Sequence, residues 1–204
     1  MQVKNSLLLF VHGLGGNAKD TWGNFPNLIT SDKSLTDLVD IGFYQYPTTL
    51  FRLPFMKKAV KIQTLANGLK TQIEHRFTEY STIILVCHSL GGLIARRYLI
   101  DEIKRGHKLK CRHLLLFAVP NNGAGLASVT KHITWKHDQL RQLCSSSDLI
   151  DDLNEDWFIL HVPEQLNTKY IVAAQDRVVN SESAKSFWGN PDVETVVNRV
   201  IGIL

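Results

Sequence analysis

The sequence predicts an α/β fold, a mainly parallel sheet flanked by helices. Three observations carry that prediction. First, Leu7–Val11, Ile83–Cys87 and Leu114–Val119 are apolar at every position. Strands without polar alternation are buried on both faces, the usual condition of a parallel sheet. Second, Ile62, Leu65, Ala66, Leu69, Ile73 and Phe77 recur at helical spacing, so a crossover helix is expected over about 59–77. Third, the run ending at Cys87-His88 passes through Ser89 and two glycines straight into another helical pattern, Leu93, Ile94, Tyr98 and Leu99. Strands alternating with helices build sheets covered on both sides.

The strands are expected near 6–12, 39–44, 83–88, 113–119, 169–175 and 193–198. With 204 residues, 44% of them hydrophobic, the chain reads as one domain over 1–204 with enough length for a large core. No repeat or linker interrupts it. Cys87, Cys111 and Cys144 suit a reducing compartment better than a disulfide framework. With no secretory signal or membrane span in view, a cytoplasmic protein is expected.

The formal net charge is +4, and Lys104, Arg105, His107, Lys108, Lys110 and Arg112 cluster. Such a cluster can meet an anionic membrane surface or serve as a solvated helix end. Nucleic-acid binding has no further support. His132 and His137 stand five apart, which is not one helical face, so no metal pair is expected. There is no G-K-[ST] and no G-x-G-x-x-G spacing, so a nucleotide cofactor is not expected either.

Two motifs carry chemistry. Ile83-Ile84-Leu85-Val86-Cys87-His88-Ser89-Leu90-Gly91-Gly92 has the grammar of a nucleophile elbow: strand, sharp turn, helix, with the serine at the apex. Close passage of strand and helix demands small residues two before and two after the serine. Gly91 meets that demand, and Cys87 replaces the usual glycine. A plain strand-to-helix turn, with Ser89 as N-cap, is the simpler alternative. The second motif is the strand Ser6–Val11 running into His12-Gly13-Leu14-Gly15-Gly16. A buried strand ending in H-G-x-G-G supplies half of an oxyanion hole, with the N–H groups of Leu14 and Leu90 as the expected donors. Each such donor contributes about 3 kcal/mol to an acyl-transfer transition state.

With Phe117-Ala118-Val119-Pro120-Asn121-Asn122-Gly123 and Tyr170–Val179 added, the chain resembles the α/β-hydrolase superfamily, in its lipase and serine-esterase branch. The four segments fall in family order along nearly the whole chain. The resemblance implies ester hydrolysis, lipid esters included, through an acyl-enzyme at Ser89. It implies Asp176 as the triad carboxylate and no cofactor. It marks the region from about Leu126 to Asp156 as a place for a cap; the apolar segment Pro47–Met56, with its two prolines, is expected to cover the site mouth, to bind an acyl group or to pack as a loop.

The triad also needs a histidine to take the Ser89 proton. Family order puts it after the last strand, near Asn198, yet all eight histidines lie at or before His161. Three explanations stay open: a C-terminally truncated or altered chain, a base recruited from within about 126–161, or a non-catalytic binding or regulatory relative of the hydrolases.

Overall fold

The computed structural model describes residues 4–17, 20–46, 62–121, 147–173 and 195–197. The strands are β1 (Ser6–Val11), β2 (Val39–Tyr44), β3 (Thr82–His88), β4 (Cys111–Phe117), β5 (Asn167–Ala173) and β6 (Thr195–Val197). The helices are α1 (Phe25–Ser31), α2 (Lys33–Thr36), α3 (Ile62–Arg76), α4 (Leu90–Lys104), α5 (Ser147–Ile159) and α6 (Val162–Gln165). A 3-10 turn at Asp20–Trp22 precedes α1.

The strands form one sheet in the order β2-β1-β3-β4-β5-β6, and every pairing is parallel. The expected parallel sheet is therefore present. β4 and β5 begin two residues earlier than the apolar runs suggest, because Cys111 pairs with Ile83 and Asn167 with His113.

Period-two alternation divides the apolar side chains between two cores. One face carries Leu7, Leu9, Val11, Ile83, Leu85, Cys87, Leu114 and Leu116, packed against α3, α4 and α5. The other carries Leu8, Phe10 and Val86 under Trp22 and Ile29, with Phe25 and Phe117 beside them. α3 turns Ile62, Leu65, Ala66, Leu69 and Ile73 to the first core, the stripe expected from its spacing.

An ion pair joins α3 to α4. The buried Glu102 carboxylate accepts from Lys70 at 2.8 Å and from Arg105 at 2.9 Å, and it lies 3.0 Å from His107 Nδ1. Burial alone raises its pKa, but these bonds outweigh burial and hold it below the ordinary range. Lys104 pairs with Asp156 at 2.5 Å. With Lys110 donating to the Thr78 carbonyl at 3.1 Å, four of the six residues of the basic cluster have partners within the fold, at the amino end of the sheet. Among the described residues no helix is long and apolar enough to cross a membrane.

The strand order places the site. From β1 the chain moves outward to β2, then returns across β1 to β3. Connections leaving adjacent strands in opposite directions open a crevice at their carboxyl ends. The residues at that crevice are those that follow Val11 and His88.

Candidate active site

Ser89 sits between β3 and α4 with φ 49° and ψ −121°. A side chain enters that region only under constraint, at a cost of about 1–3 kcal/mol. The hydroxyl makes no capping bond to α4, so Ser89 is not there as an N-cap. Its backbone N–H donates to the Phe117 carbonyl at 3.0 Å, tying the turn to the end of β4.

The tight passage expected around the serine is present. A Cβ on Gly91 would lie 2.5 Å from the carbonyl oxygens of both Val11 and His12, so α4 starts against the end of β1. Cys87 takes the position two before Ser89 without exposure to solvent, and burial pushes its thiol well up.

The loop after β1 lies against this turn. A Cβ on Gly13 would stand 3.1 Å from Ser89 Cβ and 2.8 Å from His88 Nδ1. His12, 1% exposed, folds its ring back so that Nδ1 lies 2.8 Å from the Gly13 carbonyl. A carbonyl oxygen only accepts, so Nδ1 carries the proton. Burial lowers the His12 pKa, partly opposed by that bond. No described peptide is cis, so the Leu14 N–H points away from the pinned Gly13 carbonyl. Among the described residues neither the Leu14 nor the Leu90 N–H donates to a turn or loop carbonyl. Leu90 opens α4, where the first amides have no partner within the helix.

Tyr46 completes the loop's support. Its ring stacks on His12 at 4.2 Å, and its hydroxyl donates to the His12 carbonyl at 2.7 Å. Below, Trp22 is 1% exposed and meets Phe10, Phe117 and His88 edge-on. Tyr46→Phe keeps the stack and orphans one buried carbonyl. Urea unfolding is expected to show a loss of about 1–2 kcal/mol. An unchanged midpoint would mean that the hydroxyl does not hold the loop.

Solved structures share this arrangement of strands. Phospholipase PlaB from Legionella pneumophila superposes with a TM-score of 0.65 at 19% identity, over 84% of this chain and 39% of that one. Carboxyl esterase 2 from Tuber melanosporum does so with a TM-score of 0.55 at 18% identity, over 85% of this chain and 59% of that one. The chain has the α/β-hydrolase fold. No protein-family model matches it. In sequence, Protein SERAC1 of Danio rerio is 23% identical over 180 residues, 74% of this chain. The chain spans 27% of the length of that relative.

In the hydrolase fold the site lies at the carboxyl end of the sheet. His12 and His88 are the described histidines at that end, and His12 is committed to its own loop. His161 caps α6 ahead of β5, at the opposite end, with Nδ1 3.1 Å from Glu164. It therefore lies away from Ser89. Asp176, His132, His137, Pro47–Met56 and most of 126–156 lie outside the described residues.

Trp22, Tyr46 and Arg96 did not stand out in the sequence. Arg96 had a signal: it lies three residues after Leu93 and three before Leu99, on the buried face of α4, and it is 0% exposed.

Proposed function

We propose that this chain is a serine-type acyl hydrolase that cleaves carboxylic esters, lipid esters among them, through an acyl-enzyme at Ser89. The observation that carries this reading is the strained backbone of Ser89 combined with a hydroxyl that caps nothing. A strand-to-helix connection needs neither, whereas a nucleophile presented at the apex of a turn needs both.

In this reading Ser89 Oγ attacks the carbonyl carbon while a base takes its proton. The carbonyl oxygen becomes an oxyanion held by the N–H groups of Leu14 and Leu90. The base then protonates the departing alkoxide, and water repeats the sequence to free the acid. Asp176 is assigned the carboxylate that orients the base, from its place after β5. No histidine is assigned as base. Ester is preferred to amide on the names of the structural neighbours.

The test is reaction with a fluorophosphonate probe, read by mass spectrometry of the labelled peptide, beside turnover of p-nitrophenyl butyrate. Label on Ser89 is expected, accumulating slowly beside slow ester turnover, because both reactions use the same hydroxyl as nucleophile. A chain that binds the ester but takes no label at Ser89 would overturn the reading. That outcome favours the alternative, a non-catalytic binding or regulatory module on the hydrolase fold.

A further inference from the structure

The segment beyond β4 climbs one face of the elbow helix in matched steps. Ser89, Gly92 and Arg96 stand at i, i+3 and i+7, one side of a helix. Phe117, Val119 and Asn121 stand at alternate positions of the neighbouring segment. The Ser89 N–H donates to the Phe117 carbonyl at 3.0 Å. Val119 presses on Gly92, where a Cβ would lie 2.8 Å from Val119 Cγ1. Arg96 Nη1 donates to Asn121 Oδ1 at 3.4 Å.

Between these points Ala118 is held at φ 48°, its N–H donating to the Ile171 carbonyl of β5 at 3.1 Å. The segment is thus pinned on one side to β5 and on the other to α4. Arg96 is the far anchor. Its Nη2 donates to Asn154 Oδ1 at 2.8 Å and to the Leu153 carbonyl at 3.2 Å, both on α5. Its guanidinium lies 5.0 Å over the Trp157 ring. Asn154 closes the circuit by donating to the Asn121 carbonyl at 3.0 Å.

We propose that Arg96 is a positioning residue for Ser89: its guanidinium locks the 118–121 segment and α5 to the elbow helix and so maintains the strained turn that presents the hydroxyl. The proposal rests on the reading of Ser89 as nucleophile. A planar fork of five donors can serve Asn121, Asn154 and Leu153 together, whereas an ammonium is a point charge with three. Burial, against a smaller opposing effect of Tyr170, brings the Arg96 pKa down to about 10, so the group remains charged near neutrality.

The experiment compares the 204-residue chain with Arg96→Lys, Asn121→Ala, the double variant and Ile73→Val, a core change on α3. Second-order labelling of Ser89 and thermal midpoint are read together. Arg96→Lys and Asn121→Ala are each expected to slow labelling about tenfold to a hundredfold, the scale of a displacement on the order of an ångström at a reacting group. The double variant should be little worse than either, since both break one circuit. Ile73→Val should lower the midpoint and leave labelling within about twofold, the outcome of a purely structural loss.

Labelling that merely tracks stability in all four variants overturns the proposal. Should Arg96→Lys not fold, Asn121→Ala and its control decide the same question. If the unaltered chain takes no label, the hydrolase reading fails, and hydrogen exchange judges the clamp by itself. Faster exchange at 89–92 and 118–119 in Asn121→Ala, with β1 unchanged, supports it; unchanged exchange there overturns it.

Discussion

Ser89→Gly is expected to yield a protein that is more stable and unreactive. Serine at φ 49° and ψ −121° stores strain that glycine does not feel. Relief of about 1–3 kcal/mol, less up to about 1 kcal/mol for the greater freedom of glycine in the unfolded chain, leaves a net gain. For a domain of this size, each kcal/mol moves the thermal midpoint by about 2–4 °C. Ser89→Ala keeps a Cβ at the strained position, so its midpoint should stay near that of the parent. Both variants should lose fluorophosphonate labelling and ester turnover to background. The pair separates two properties usually tangled in an active-site mutation: the hydroxyl carries reactivity, and the backbone carries cost. Scanning calorimetry beside labelling reads both. A glycine variant less stable than the alanine variant would show that the turn is not strained.

Gly91→Val is expected to have the largest effect on stability. Its Cβ would sit 2.5 Å from two carbonyl oxygens, those of Val11 and His12, and 3.0 Å from the Val11 carbonyl carbon. None of these is the end of a flexible side chain. They belong to the last residue of β1 and the one that follows it, and β1 is paired on both sides and cannot yield without disturbing β2 and β3. The cost should be at the upper end for single substitutions, about 4 kcal/mol or more. That consumes much of the total stability of an ordinary domain. Loss of soluble expression, or a collapsed denaturant midpoint, is the expected reading. Gly91→Ala should show the same direction, whereas Gly106→Ala should not: no heavy atom lies within 4 Å of the Cβ that Gly106 would gain, and its φ of 71° confines the cost to local strain.

Most of the sheet was legible because its strands are apolar on both faces, a pattern that needs no knowledge of partners. The strand ends were not, since they depend on pairing. Cys111 and polar Arg112 belong to β4 because Cys111 pairs with Ile83 of β3. Val119 lies outside β4 because Ala118 turns to positive φ. The site divides in the same way. Ser89, Gly91 and the His12–Gly16 loop could be read because local backbone chemistry dictates their spacing. Tyr46 is 34 residues from its acceptor His12, and Arg96 is 58 from Asn154, so no local pattern reveals either partnership. Arg96 also stands beside Arg97, which pairs with Asp101 and Asp156, and two adjacent arginines read as one solvated patch until the helix turns them apart.

In the proposed site Cys87 bears on chemoselectivity. A thiol two residues from the Ser89 hydroxyl would ordinarily compete for any electrophile that enters, because thiolates are the better nucleophiles. Here the sulfur is sealed beneath the sheet and its ionisation is suppressed. In the proposed reaction an incoming phosphonate or activated ester therefore encounters oxygen, while alkylating and oxidising agents find nothing at that position to capture. The substitution of sulfur for the customary glycine adds bulk to the hinge without adding a second warhead.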